Sequence, residues 1–135
     1  IKKIINLSSH PIFSETGALE YTKTKSIISS LKKMNSIKNK FYAITVGKKG
    51  VYWIENGIIY NCKPPKIKAV ETNCAGDVFH GAFATFMHNN YSIRKSMILA
   101  TATATLKCTK NGGIYSIPNY LSVKNFAKKI HFRKI

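Results

Sequence analysis

A chain of 135 residues, 44% of them apolar, is long enough for one domain with a hydrophobic core, and it has no run of about 18 apolar residues that would span a membrane. The net charge of +17 favours anionic ligands, but the basic residues are dispersed and only Arg94 and Arg133 are arginine, which disfavours nucleic-acid binding as the primary role. The three cysteines form neither an even set nor a CxxC pair, which disfavours a disulfide framework or a zinc site and favours reduced thiols in a cytoplasmic protein.

The first half of the chain predicts short strands and one amphipathic helix. The apolar run at 2–7 (KKIINL) indicates a buried strand, and the spacing of Leu, Ile and Met over 18–34 is typical of an amphipathic helix. Residues 41–47 (FYAITVG) are β-branched and aromatic and predict a second buried strand. A hairpin follows around Asn56–Gly57, and the alternation at 66–70 predicts a further strand.

The second half predicts helices. Apolar residues from Asp77 onward form one helical stripe, and Ser92 is an N-cap residue for a helix that reaches about Lys107. The ATATAT run inside this helix fits a strand period equally well, and helix is favoured because the run ends before the Gly112–Gly113 stop. A last helix is predicted over 119–132, with Leu121, Phe126 and Ile130 on its inner side. Strands followed by helices predict an α/β layered fold.

The stretch ETNCAGDVFHGAF (71–83) contains Asp77, the only aspartate of the chain, directly after small or turn-tolerant residues and before an apolar helix. Such a bend presents unpaired backbone N–H groups at the positive end of a helix dipole, where phosphate oxygens bind well. A carboxylate beside it suits a general base that takes the proton of an attacking hydroxyl during phosphoryl transfer. The alternative is an acid that only stabilises the first helical turn.

Three segments, in order, resemble the ribokinase-like (PfkB) carbohydrate kinases. Residues 71–83 resemble the signature Asp-Thr-x-Gly-Ala-Gly-Asp-x-Phe-x-Gly-Ala. Residues 44–53 resemble the Thr-x-Gly-x-x-Gly strand and turn beside the nucleotide phosphates, and 100–118 resemble the Ala-rich helix and loop over the adenine. The resemblance implies a ribokinase-like layered α/β sandwich, of which residues 1–135 form only the C-terminal nucleotide-binding part, without the N-terminal sugar-binding half and its lid.

The resemblance also implies an activity and a set of site residues. The activity is ATP- and Mg²⁺-dependent phosphorylation of a sugar hydroxyl, in a fructose-like or related sugar, with Asp77 as the catalytic base. The backbone of Cys74, Ala75 and Gly76 would form the anion hole. The implied nucleotide contacts are Thr45, Gly47, Gly50, Thr101 and Asn111. A monovalent cation such as K⁺ would bind beside the bend through Glu71, Asn73, Gly112 and Ser116.

Two departures from the family pattern bear on the site. Glu71 replaces the usual Asp, and Cys74 replaces a Gly, where a positive φ would cost about 1 kcal/mol. Family members are also much longer. The chain is therefore expected to be a fragment, a catalytically inactive remnant, or one half completed by another polypeptide or by a homodimer. A basic nucleic-acid-binding module is the remaining alternative, and a membrane partner is not expected.

Overall fold

The computed structural model of the protein describes residues 2–38 and 40–135. The chain divides into two compact units, one made of the residues up to Asn61 together with Arg133–Ile135 and the other of Cys62–Phe132. Within the described ranges the helices are α1 (Lys2–Leu7), α2 (Glu15–Thr22), α3 (Ile27–Ile37), α4 (Ala75–His88), α5 (Ile93–Lys107) and α6 (Tyr120–Ala127). The strands are β1 (Ile12–Ser14), β2 (Tyr42–Thr45), β3 (Val51–Glu55), β4 (Ile58–Lys63) and β5 (His131–Lys134). None of the described helices is long and apolar enough to cross a membrane.

A mixed sheet forms the centre of the first unit, with strand order β1-β2-β3-β4-β5. β1 pairs with β2 in parallel, which requires a crossover, and α2 and α3 supply it. β2 and β3 are antiparallel, with Tyr42 opposite Ile54 and Thr45 opposite Val51. The core beside the sheet consists of Ile5, Ala18, Leu31, Met34, Tyr42, Ile44, Val46, Ile54 and Ile59.

The hairpin between β3 and β4 confirms the turn predicted at Asn56–Gly57. Asn56 has φ 51° and Gly57 has φ 76°, the two left-handed residues that a two-residue type I′ turn needs. Above this turn the Trp53 and Tyr60 rings stack across the two strands at 5.3 Å. Cross-strand aromatic pairs of this kind stabilise the register of a hairpin.

Two predictions for the first unit are wrong. Residues 2–7 form α1 and not a strand, because a short apolar run does not distinguish a strand from a buried helical turn. The helix predicted over 18–34 is two helices, α2 and α3. Lys23 leaves α2 in the left-handed conformation (φ 52°), and Ser26 starts α3 by accepting the N–H of Ser29.

The second unit is built on the packing of α4 against α5, with α6 against α5. Ser92 caps α5 by accepting the N–H of Lys95, as predicted. The alternating Ala and Thr residues are helical, since the hydroxyls of Thr101, Thr103 and Thr105 each donate to the carbonyl four residues earlier, at 2.7, 2.8 and 2.7 Å. This bond satisfies a buried hydroxyl within its own helix, so both residue types can face a packed interior.

Two predictions for the second unit also fail. Residues 66–70 form no strand, and the N–H of Val70 donates to the carbonyl of Cys108 at 2.8 Å instead of to a neighbouring strand. The last helix ends at Ala127 and the chain continues as β5. Leu121 is 67% exposed, whereas Val123 is the buried residue of α6. Of the predicted inner residues Leu121 is therefore wrong, whereas Phe126 is half-buried and Ile130 is buried, as predicted.

Candidate active site

The candidate anion hole is the bend that leads into α4. Cys74 has a left-handed backbone conformation, with φ 59° and ψ 11°, and α4 begins at the next residue. The carbonyl of Cys74 accepts the N–H of Val78 at 2.9 Å, the first hydrogen bond of the helix. A side chain at a left-handed position costs about 1–2 kcal/mol. The position at which the family pattern has glycine is therefore one where this chain carries backbone strain.

One amide of the predicted anion hole is already bonded inside the protein. The N–H of Ala75 donates to the carbonyl of Thr72 at 3.2 Å. In the part of the chain that the structure describes, the N–H groups of Cys74, Gly76 and Asp77 donate to no protein acceptor. Free N–H groups in the first turn of a helix, at the positive end of its dipole, are suited to an anion. The anion-binding amides in this geometry are those of Cys74, Gly76 and Asp77, and Ala75 is removed from the set.

Asp77 lies in the first turn of α4, and its exposed side chain lines a cavity of about 930 Å³. Among residues 2–38 and 40–135, no hydrogen bond or ion pair holds its carboxylate. A carboxylate without a protein partner at the edge of a cavity is available to accept the proton of a bound hydroxyl. Among the described residues, the candidate site therefore combines an unpaired carboxylate with neighbouring amides that have no acceptor.

The cavity lies within the second unit, and its walls are largely aromatic and aliphatic. The hydroxyls of Tyr91 and Tyr120 are hydrogen-bonded to each other at 2.9 Å, and the Phe86 ring contacts both rings, with centroids 5.8 and 6.3 Å away. The other lining residues are Cys74, Asp77, Val78, Gly81, Ala82, Thr85, Asn89, Thr103, Ile114, Ile117, Pro118 and Val123. Apolar walls with a few polar groups are typical of small-molecule sites.

The residues predicted to contact the nucleotide are divided between the two units. Thr45, Gly47 and Gly50 belong to the first unit. The hydroxyl of Thr45 donates to the carbonyl of Phe13 at 3.3 Å. Gly47 and Gly50 flank a short 3₁₀ turn with φ 45° and 83°, conformations that favour glycine. The Thr-x-Gly-x-x-Gly motif therefore corresponds to a turn whose backbone conformation favours glycine at both positions.

Thr101 and Asn111 belong to the second unit. Thr101 is 4% exposed and its hydroxyl is bonded to the carbonyl of Met97, so its side chain belongs to the helix interior. Thr103, two residues further along in the same alternating run, lines the cavity instead. Asn111 is exposed and lies outside the cavity lining. The alternating Ala-Thr pattern did not indicate which threonine reaches the cavity.

The predicted cation ligands lie beside the bend and have partners within the protein. One oxygen of the Glu71 carboxylate, Oε2, accepts the N–H of Gly112 at 3.0 Å and that of Gly113 at 3.1 Å. The Ser116 hydroxyl donates to the carbonyl of Gly113 at 2.8 Å. The hydrogen bonds from Gly113 and Gly112 hold the pKa of Glu71 below its ordinary value, and the neighbouring ammonium of Lys107 acts in the same direction. The Glu71 carboxylate is therefore ionised and bonded to the 112–113 turn.

Lys107, at the C-terminal end of α5, is a site residue that the sequence analysis missed. Its side chain is fully buried, and Nζ donates to the backbone carbonyls of Asn73 and Glu71, the latter at 3.5 Å. Nζ also lies 3.9 Å from Oε1 of Glu71. The helical spacing of the sequence was the indication that could have identified Lys107. It follows Thr103 by four residues, so the two lie on one face of a helix whose other faces carry small, buried residues.

His80 is a supporting residue of the same bend. Its Nδ1 lies 2.7 Å from the carbonyl oxygen of Gly76. A carbonyl only accepts, so Nδ1 carries the proton and donates. The imidazole of His80 thus binds the first turn of α4.

Comparison with known proteins identifies related carbohydrate kinases. The model of the "pfkB family carbohydrate kinase" matches residues 1–120. The ribokinase of Schizosaccharomyces pombe is 32% identical over 88 residues, which are 62% of this chain and 27% of that protein. The ribokinase structure from Thermotoga maritima is 26% identical with a TM-score of 0.84, over 95% of this chain and 45% of that one. The Arabidopsis thaliana ribokinase complexed with ribose and ATP is 25% identical with a TM-score of 0.77, over 88% and 41%.

The match to the family model extends over most of the chain, and the fold is that of the ribokinase structures. The chain spans less than half the length of each of these relatives. The agreement of the 71–83 signature, the α/β fold and the family model leads to one conclusion. The chain belongs to the pfkB family of carbohydrate kinases.

Proposed function

We propose that this chain carries the catalytic base and the anion-binding amides of an ATP-dependent carbohydrate kinase. Asp77 accepts the proton of the attacking sugar hydroxyl. The amides of Gly76 and Asp77, with that of Cys74, stabilise the charge on the transferred phosphoryl group. The observation that carries the proposal is the unpaired Asp77 carboxylate, which lines a cavity next to amides that have no acceptor among the described residues.

The physical basis is positioning and electrostatics. Phosphoryl transfer requires the attacking and leaving oxygens to be held in line while negative charge spreads over the phosphoryl oxygens. Backbone donors that are already oriented before the reaction stabilise this charge without reorganisation. The α4 dipole adds a favourable potential at the same point. A carboxylate within the same helical turn as these donors is placed where the incoming hydroxyl must lie.

ATP and Mg²⁺ are the cosubstrate and the metal that the proposal includes. When bound, Mg·ATP supplies the phosphoryl group, and the metal lowers the charge on its oxygens. The amides of the α4 turn that have no acceptor fit a phosphate oxygen. This fit is the structural support for nucleotide binding by this chain. Among the described residues no three His, Cys, Asp or Glu side chains group together as a metal site, so the chain presents no protein cage of its own for Mg²⁺.

Ribose is the first acceptor to test, because several relatives at 25% identity or more are named ribokinases and one of them is complexed with ribose and ATP. Fructose is the second acceptor to test, because residues 79–83 of the signature (FHGAF) resemble the fructose-type members of the family. Because the chain spans under half of these relatives, we propose that the acceptor is also held by segments outside residues 1–135. A second copy of this chain or a complementing N-terminal half could supply them.

The experiment combines nucleotide binding with turnover. Titration of the purified chain with Mg·ATP tests the amides, and ADP release on addition of ribose or fructose tests the base. Asp77→Asn is expected to keep ATP binding and to lose turnover by at least about 10²-fold. Glu20→Gln, which removes one charge at an exposed position of α2, is the matched control and should retain both.

Turnover that survives in Asp77→Asn would refute the assignment of the base. ATP binding without turnover, in the chain alone and after addition of an N-terminal ribokinase half, would identify an inactive remnant. Tight nucleic-acid binding with a steep salt dependence and no competition from ATP would favour the basic-module alternative.

A further inference from the structure

The ammonium of Lys107 lies where the sequence analysis placed a monovalent cation. Its Nζ donates to the carbonyl oxygens of Glu71 and Asn73 and lies 3.9 Å from Oε1 of Glu71. These are oxygens of two of the predicted cation ligands. An ammonium and a potassium ion carry the same charge and both prefer carbonyl and carboxylate oxygens.

The remaining predicted ligands are also bonded within the protein. The carbonyl of Gly112 accepts the N–H of Tyr115 at 3.0 Å, and the Ser116 hydroxyl donates to Gly113. The second carboxylate oxygen of Glu71 accepts both glycine amides of the turn. The Gly112 carbonyl and the Glu71 carboxylate are therefore oriented towards hydrogen-bond donors of the chain, and the Ser116 hydroxyl is bonded to the adjacent turn.

Charge balance argues in the same direction. The Lys107 side chain is fully buried, and a buried ammonium is strongly unfavourable unless it is paired and hydrogen-bonded. Here it has one carboxylate and two carbonyls, so the positive charge is compensated by the same oxygens. A second cation beside it would meet like-charge repulsion in a poorly solvated site. The donor set does not fit an external monovalent cation.

We propose that Lys107 is a built-in cation, which holds the carbonyls of Glu71 and Asn73 and so positions the bend at 73–76 without K⁺ or Na⁺. Lys107 is a positioning residue and not a catalytic one. The proposal rests on the proposed function only where nucleotide binding is the readout. Its structural part, a bend held by an internal ammonium, stands independently of what the cavity binds.

The test compares cations at equal ionic strength of about 0.1 M, where screening of surface charges is the same. The melting temperature of the unchanged chain is expected to be equal in potassium chloride and in tetramethylammonium chloride. Lys107→Ala should melt roughly 10 °C lower, because it leaves Glu71 without its partner. The vacated site should then bind a small cation, so potassium or ammonium chloride raises the melting temperature of this variant by roughly 5 °C over tetramethylammonium chloride.

Two controls keep the result decisive. Lys110→Ala removes the same charge from an exposed position three residues further along and should melt like the unchanged chain in every salt. Lys107→Met retains most of the buried volume without the charge and replaces Lys107→Ala if that variant does not fold. If neither variant folds, the salt comparison on the unchanged chain still decides.

A melting temperature of the unchanged chain that rises saturably with potassium would overturn the proposal, as would a Lys107→Ala variant that folds without any cation response. Lys107→Met fills the site, so a melting temperature of that variant equal to that of the unchanged chain would also overturn it. Titration with Mg·ATP gives the second readout. Affinity should be the same in both salts for the unchanged chain, lower in Lys107→Ala, and partly restored there by potassium. If no variant binds ATP, the proposed function fails, and the melting temperatures still report on Lys107.

Discussion

Replacing Cys74 by glycine is expected to stabilise the protein. Cys74 has φ 59°, is exposed, and makes no side-chain capping hydrogen bond, so removing its side chain relieves backbone strain and loses no such bond. The relief is about 1–2 kcal/mol. Glycine in turn lowers stability by about 0.4–1 kcal/mol, because it increases the freedom of the unfolded chain. The net gain is about 0.5–1 kcal/mol.

This free energy corresponds to a measurable shift. At an unfolding entropy of about 2 cal/mol/K per residue, a chain of 135 residues gains roughly 2–4 °C in melting temperature. Far-UV circular dichroism during heating, with a reducing agent present, measures it. Cys74→Ala is the control, because it removes the thiol and retains the strain, and it should melt like the unchanged chain. An equal rise in the Ala and Gly variants, or a fall in the Gly variant, would refute the left-handed bend as the source of strain.

Three further predictions concern other parts of the chain. The stability that the Glu71 carboxylate contributes should be fully present above the ordinary Glu71 pKa of 4.5 and should be lost as the pH falls through the lowered pKa of the folded state. In a plot of melting temperature against pH, Glu71→Gln should therefore reduce the decrease on the acid side. Gly57→Ala should lower the melting temperature by roughly 3–4 °C, through φ 76° alone, since a Cβ there meets no atom within 4 Å. Alkylation of the native chain, followed by mass spectrometry, should modify the exposed Cys74. Cys62 and Cys108 should react only after unfolding, because burial raises the pKa of the Cys62 thiol to about 12 and also raises that of Cys108.

Elements determined by local chemistry could be predicted from the sequence. The Asn56–Gly57 turn requires two left-handed residues, and these are the residue types that tolerate that conformation. Ser92 starts α5 with the hydrogen bond that its residue type favours at that position. The Ala-Thr run is helical, as its position before the Gly112–Gly113 stop predicted, and its hydroxyls are hydrogen-bonded within the helix.

Elements that depend on a distant partner could not be predicted. The stretch 66–70 alternates like a strand, but a strand needs a neighbour, and the N–H of Val70 donates to the end of α5 instead. Conversely, the first two residues of β5, His131 and Phe132, were included in the helix predicted over 119–132, since they show no pattern that exceeds the periodicity of α6. The N–H of Ile135 after this strand donates to the carbonyl of Ile59 at 2.9 Å, a partner far away in sequence.

The candidate site likewise has one part that local sequence predicts and one part that depends on partners distant in sequence. Small residues before an apolar helix were enough to predict a bend with unpaired amides at its end. That Ala75 is bonded and Lys107 is buried beside Glu71 depends on the folded arrangement, because Lys107 lies 34 residues from the Asn73 carbonyl that it holds. Lys107 follows the small residues 100–105 of α5, and a lysine in a protein interior requires partners to be present. Such a residue is a signal for a buried ion pair even before its partner is known.

The strain at Cys74 and the buried Lys107 have a common explanation. Three consecutive carbonyls of the bend each accept a hydrogen bond: Thr72 from the N–H of Ala75, Asn73 from Lys107, and Cys74 from the N–H of Val78. A strained conformation persists where the surrounding structure determines it by several bonds at once. With these carbonyls fixed, the following amides are held in one direction without an acceptor of their own, which is the preorganised state that stabilises transferred charge. Relieving the strain at Cys74 leaves these bonds in place, whereas removing the ammonium of Lys107 frees the carbonyl directly before the strained residue.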